Sequence, residues 1–248
     1  MIVDPHHTDT AIARRALPLL DLTDLGNACS DQAIETLCGK ARASRVAAIC
    51  VWPQHIHRCA DLLAGSPVRI ATVINFPAGG TDIERAVDDT AEALDDGAHE
   101  IDLVMPYRTF LAGDAGIAAG MIEAVREITG RAILKVILES GAMPDTGSVT
   151  EASRLAIAAG ADFLKTSTGK STVSATPEAA AAMLAAIRDS GRTVGFKVSG
   201  GLRTVADAAL YLAIADRIMG PGWVEPTTFR IGASSLHDAL TASLGGQA

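Results

Sequence analysis

Residues 132–166 read AILKVILESGAMPDTGSVTEASRLAIAAGADFLKT, and the alternation inside this stretch decides the fold. Its first seven residues form an apolar run of strand length, interrupted by Lys135. Helical period follows over 150–159, and Gly160 stands where a left-handed helix cap belongs. A second short apolar run, 162–166, again carries one lysine, Lys165. Strand, helix and strand in this compass make one β/α unit of about 30 residues.

Outward from this stretch the pattern repeats. Strands are expected over 18–22, 46–51, 68–74, 100–103, 194–198 and 229–231, besides 132–138 and 162–166. Helical patterns occupy 81–96, 117–129, 177–190 and 204–214, with a short helix near 8–16 ahead of the first strand. Thr81-Asp82 before Glu84 and Thr176-Pro177-Glu178 are helix starts, and Gly97, Gly130 and Gly191 are helix stops. Eight such alternations in 248 residues are the size of a (β/α)8 TIM barrel with a short N-terminal helix. A doubly wound open sheet is the competing architecture. No G-x-G-x-x-G follows the first strand and no G-x-x-x-x-G-K-[ST] occurs, which weighs against its nucleotide-binding form. No linker or shift in composition divides the chain, so residues 1–248 are expected to form a single domain.

Composition narrows the function. Hydrophobic residues make up 48% and charged residues 20%, which excludes intrinsic disorder. With 21 basic against 29 acidic residues the net charge is −8, opposite to what a nucleic-acid or anionic membrane partner requires. An anionic small molecule fits only if a local site overcomes that field. Cys29, Cys38, Cys50 and Cys59 contain no C-x-x-C pair and read as reduced thiols of a cytoplasmic protein. The polar start of the chain is no signal peptide, and the longest apolar run spans nine residues, 179–187, against the ~20 needed to cross a bilayer.

The informative residues are charges inside strands that should be apolar on both faces. Asp102, Lys135, Lys165 and Lys197 each interrupt one of four consecutive strands, the fourth to the seventh. The outer face of each strand meets a helix, so each charge is expected to point into the barrel. One reading is an internal ion-pair network in which Asp102 pairs with one lysine. Three ammonium groups to one carboxylate would make a poor scaffold. The other reading is chemical. A lysine amine attacks a carbonyl only when neutral, and a neighbouring cation lowers its pKa. Lys165 and Lys197 on adjacent strands supply that pair, with Asp102 as a carboxylate for proton transfer.

A second group lies where barrel sites form, at the C-terminal ends of strands. Gly200 and Gly201 end the seventh strand's segment, and Gly232-Ala233-Ser234-Ser235 joins the eighth to the last helix. Exposed glycine amides and a Ser-Ser helix start together suggest a phosphate cradle, with Thr168-Gly169-Lys170 adding donors.

At these residues the chain resembles the deoxyribose-phosphate aldolase family. The similarity rests on PLLDLT (18–23), EIDLVMPYR (100–108), FLKTSTGK (163–170), GFKVSGGLR (195–203) and FRIGASSL (229–236), in the family's order. It implies a metal-free and cofactor-free class I aldolase acting on a phosphorylated sugar. By the resemblance Lys165 is the Schiff-base lysine, Lys197 the cation that depresses its pKa, and Asp102 the proton-transfer carboxylate. Asp21, Thr23 and Lys135 are expected to support the polar site, and Cys50 to face the pocket. Thr168, Gly169, Lys170, Gly200, Gly201, Gly232, Ser234 and Ser235 are the expected phosphate and substrate contacts. Glu139-Ser140 matches an E-[ST] pair to which no role is attached.

One departure stands out. Family members often end in a tyrosine assisting proton transfer, whereas the tyrosines of this chain are Tyr107 and Tyr211. Either slower turnover or a proton relay through water and Asp102 is expected in its place. His55 and His57, two apart, would point to different faces of a helix and so make a poor metal site. His6 and His7 fall in an N-terminus expected to be mobile, and His99 is expected at the surface. Barrel exteriors of this composition form monomers and homodimers alike. Two alternatives remain at this stage, another Schiff-base aldolase or a non-catalytic sugar-phosphate binder.

Overall fold

Parallel strands cannot be joined by tight turns and need crossover helices, and this chain supplies one after every strand. The computed structural model describes residues 5–27, 29–220 and 222–245; the side chains of His6 and His7 and the C-terminal residues 246–248 lie outside them. After α1 (Pro5–Ala16) the order runs β1 (Leu20–Asp24), α2 (Asp31–Ser44), β2 (Ala48–Val51), α3 (Ile56–Leu62) and β3 (Arg69–Ile74). It continues through α4 (Ile83–Asp95), β4 (Glu100–Val104), α5 (Tyr107–Leu111), α6 (Ala115–Thr129), β5 (Ile133–Ile137) and α7 (Thr146–Ala158). The last units are β6 (Phe163–Lys165), α8 (Pro177–Ser190), β7 (Gly195–Ser199), α9 (Val205–Met219), β8 (Phe229–Ala233) and α10 (Leu236–Gly245). The eight strands pair in sequence order, all parallel, and β8 closes on β1. This is a (β/α)8 barrel, and the open-sheet alternative is excluded.

The helix starts follow the local chemistry. Thr176 caps α8 with Pro177 in its first turn, Asp82 caps α4, and Thr204 with Asp207 forms a reciprocal capping box on α9. Gly191 ends α8 in the left-handed conformation. The first strand begins two residues later than expected because Leu17–Leu19 forms a 3-10 turn, to which Pro18 is suited. Asp145 caps α7 and starts it at Thr146, ahead of its apolar period. His55 closes a separate 3-10 turn before α3, so His55 and His57 do not share one helix.

Strand alternation sorts side chains into two environments. Leu22, Ile49, Ile70, Ile101, Leu134, Leu164, Phe196 and Ile231 face outward and join the helices in one large core. A smaller apolar cluster of Leu25, Cys50, Ala71 and Val73 is separate from it, with Trp52 and Phe76 packed against its edge. Other inward positions carry the charges Asp21, Glu100, Asp102, Lys135, Lys165, Lys197 and Arg230. Among the described residues no helix is long and apolar enough to cross a membrane.

Glycine in β7 is a packing requirement. A Cβ on Gly195 would lie 2.3 Å from the ring of buried Phe163 on β6. Gly195→Ala should therefore destabilise the protein by about 1–3 kcal/mol, read from the urea midpoint. An unchanged midpoint would contradict this packing.

Candidate active site

Period-two alternation on neighbouring strands stacks the inward charges into one cluster. The register places Asp102 beside Lys135, Lys165 beside Lys197, and Lys197 beside Arg230. Asp102 stands at the centre. Its Oδ1 lies 2.8 Å from Lys135 Nζ, and its Oδ2 lies 2.7 Å from both Lys165 Nζ and Lys197 Nζ. Asp21 of β1 approaches Lys197 at 2.5 Å and accepts from Arg230 at 2.7 Å. Glu100 pairs with Lys135 at 2.6 Å and takes two bonds from the Arg230 guanidinium, at 2.9 and 3.2 Å.

The expected ratio of three ammonium groups to one carboxylate is thus corrected. Asp102 pairs with all three lysines rather than one, and Asp21 and Glu100 bring the carboxylates to three. Arg230 raises the cations to four. Glu100 and Arg230 were missed as site residues, although alternation could have found both: Glu100 is two residues from Asp102, and Arg230 is the one charge in the eighth strand.

Burial opposes charge on every lysine here, and the neighbours decide each case. For Lys197 and Lys135, burial is outweighed by nearby carboxylates, Asp102 foremost, and both ammonium groups are held above the ordinary lysine pKa. Lys165 goes the other way. Burial and the positive charge of Lys197 outweigh its single carboxylate partner among the described residues, Asp102, and its pKa falls. Burial also opposes charge on Asp102, but the three lysines overrule it and hold the carboxylate well below its usual range. Four buried cations against three buried carboxylates leave one charge in excess, and a neutral Lys165 removes it; the exposed Arg69 also reaches Glu100, at 3.9 Å. Lys165 is also the lysine of the three whose side chain has any exposure, 3% against zero for Lys135 and Lys197.

Above this cluster lies a cavity of about 530 Å³. Its lining includes Thr23, Ser199 and Gly232, each two residues further along its strand than Asp21, Lys197 and Arg230. The cavity therefore sits one side-chain layer nearer the strand C-termini than the lysines. Gly232 leaves room for this, since a Cβ there would lie 3.0 Å from Lys197 Cε. Thr168, Gly169, Lys170, Gly200, Gly201, Ser234 and Ser235 converge on its walls, with Arg203 as a second cation. Gly200 and Gly201 have φ of 95° and 89°, a backbone that side-chain-bearing residues rarely adopt. Thr23 donates to the Asp21 carbonyl at 2.8 Å.

The other predicted residues divide. Cys50 is fully buried inside the barrel, where burial raises its thiol pKa, with the charges of Lys197 and Asp102 close by. Lys135 lies in the charged layer and outside the cavity lining. Tyr107 and Tyr211 are buried and absent from the lining; burial pushes the Tyr211 hydroxyl up to about 12. His99 is exposed as expected, and its Nδ1 accepts from the Ile70 amide at 3.0 Å.

A closed (β/α)8 barrel thus holds a pKa-depressed lysine below a cavity lined by glycine amides, hydroxyls and cations. Comparison with known proteins gives the family. The family model for DeoC/LacD family aldolases matches residues 10–241. A deoxyribose-phosphate aldolase of Agrobacterium fabrum is 51% identical over 240 residues, 95% of this chain and 93% of that protein. The solved aldolase QR15 is 27% identical, with a TM-score of 0.81 over 92% of this chain and 96% of that one. The fold is shared with the tetrameric deoxyribose phosphate aldolase of Aeropyrum pernix, 23% identical, TM-score 0.77, covering 94% of this chain and 91% of that one. The chain belongs to the DeoC/LacD aldolase family.

The network makes a stability prediction. With Lys165 neutral, Asp102→Asn leaves Lys135, Lys197 and Arg230 facing only Glu100 and Asp21, one uncompensated buried charge, and should cost about 3–5 kcal/mol in urea unfolding at pH 7. In the unmutated protein the depressed carboxylates stabilise the fold above an unfolded pKa of ~4, and that stability should be lost as pH falls below it. Equal unfolding free energies at pH 3 and pH 6 would refute the network's contribution.

Proposed function

We propose that this aldolase reversibly cleaves 2-deoxy-D-ribose 5-phosphate to acetaldehyde and D-glyceraldehyde 3-phosphate, through a Schiff base on Lys165. The observation that carries the reading is the asymmetry between two adjacent lysines: Lys197 is held charged by two carboxylates while Lys165 is driven toward the neutral amine. Identity with the Agrobacterium enzyme supports the choice of substrate.

In this mechanism the neutral Lys165 Nζ adds to the C1 aldehyde of the open-chain sugar. Loss of water gives a protonated imine, which is an electron sink. A base removes the C3 hydroxyl proton, the C2–C3 bond breaks, and its electron pair forms the enamine as glyceraldehyde 3-phosphate leaves. The enamine takes a proton at its terminal carbon, and water then hydrolyses the imine to release acetaldehyde and restore the amine. Asp102, 2.7 Å from Lys165 Nζ, is the carboxylate placed for these transfers, directly or through a water. Lys197 keeps the amine neutral and Asp21 fixes Lys197.

The phosphate belongs in the cradle of Thr168, Gly169, Lys170, Gly200, Gly201, Gly232, Ser234 and Ser235. Glycine amides and the start of α10 offer donors there, and Lys170 offers charge. A product pair of two small aldehydes suits deoxyribonucleoside catabolism, and the four free cysteines suit the cytoplasm.

Borohydride added during turnover of deoxyribose 5-phosphate should leave one irreversible adduct, mapped by peptide mass to Lys165, and Lys165→Ala should abolish both adduct and cleavage. An adduct on another lysine would refute the assignment. Lys197→Leu removes the cation that depresses Lys165, so the alkaline rise in trapping rate should move up by roughly one pH unit or more. An unchanged pH profile in an active Lys197 variant would remove Lys197 from its role.

A further inference from the structure

One buried carboxylate next to the cavity takes no part in the chemistry above. Glu139 follows β5 with φ 53° and ψ 56°, a left-handed backbone that non-glycine residues seldom adopt. Its side chain is turned into the β6–α8 loop. Thr168 Oγ1 donates to Oε2 at 2.6 Å, Ser171 Oγ donates to Oε1 at 2.9 Å, and the Thr168 amide approaches Oε2 at 3.4 Å. The Thr168 hydroxyl in turn accepts from the Lys170 amide at 3.1 Å. Glu139 therefore holds the two residues that flank Gly169 and Lys170, which line the cavity.

The loop is pressed into place from both sides. A Cβ on Gly141 would lie 2.0 Å from the Val173 carbonyl oxygen, and one on Gly200 would lie 2.6 Å from Ser174 Cβ and 3.3 Å from Gly169 Cα. Lys170 Nζ reaches the Leu25 carbonyl of the β1–α2 loop at 2.8 Å. A free carboxylate near a phosphate would repel it. This one is buried, faces three donors of the loop and is absent from the cavity lining.

We propose that Glu139 is a positioning residue for phosphate recognition: it locks the 168–171 turn so that Gly169 and Lys170 are pre-arranged for the anion. The proposal rests on the cradle reading above and extends it to a residue outside the cavity. Charge-assisted bonds to a buried carboxylate are stronger than neutral ones, and a loop already ordered loses less entropy when the anion arrives.

The test compares Glu139→Ala and Glu139→Gln with the unmutated protein on 2-deoxy-D-ribose 5-phosphate and on unphosphorylated 2-deoxy-D-ribose. The ratio of the two kcat/KM values should fall roughly tenfold or more in Glu139→Ala and less in Glu139→Gln, with most of the change in KM for the phosphate ester. Calorimetric affinity for inorganic phosphate should weaken by a similar factor. A merely structural role would lower both substrates together, so an unchanged ratio or an unchanged phosphate affinity overturns the proposal. Should Glu139→Ala fail to fold, Glu139→Gln decides. If the unmutated protein binds inorganic phosphate and cleaves neither sugar, the substrate assignment falls, and phosphate affinities alone decide the role of Glu139.

Discussion

A carboxylate facing three ammonium groups inside a closed barrel is the constraint on which this structure turns. Asp102 cannot be buried alone, nor can Lys135, Lys165 or Lys197, and together with Asp21, Glu100 and Arg230 they form one charged layer. The layer is electroneutral when one lysine is uncharged. Among the described residues Lys197 has two carboxylate neighbours and Lys165 has one, so the proton is lost most readily from Lys165. On the proposed mechanism, the same imbalance that would trouble a purely structural ion-pair network prepares the Lys165 amine for attack on a carbonyl.

The barrel turns that local chemistry into a site. Parallel strands in register bring every strand's C-terminal end to one mouth, so the loops after β6, β7 and β8 meet above the charged layer. Division of labour follows the layers. The lower one holds fixed charge away from water, and the upper one is small and polar, with Gly200, Gly201 and Gly232 clearing space. On the side of β2 and β3 the interior is apolar, with Cys50, Ala71 and Val73 in place of charges. The acidic exterior need not oppose an anionic substrate, because Lys170 and Arg203 line the cavity itself.

Much of this was legible from residue order. Eight alternations marked the barrel, and charges inside apolar runs marked four members of the buried layer. Of the missed members, Glu100 opens β4, where a charge reads as ordinary solvent exposure, and Arg230 lies inside β8, in an expected run of three residues too short for its alternation to stand out. Strand and helix boundaries moved by a few residues where capping prevailed over apolar period, as at Asp145, or where a proline-containing turn preceded the strand, as at Pro18. Glu139 carried a visible motif and no visible role, since its partners lie 29 and 32 residues further on.

By itself the sequence determined the strand–helix period, the faces on which charges fall, and the segments that carry family identity, because these depend on spacing along one chain. Only the tertiary structure decided which carboxylate meets which lysine, that Asp102 serves three of them, and that Lys165 is the one left short of negative charge. Those outcomes depend on register between strands far apart in sequence and on distances of a few ångströms, over which Coulomb energies inside a protein change steeply.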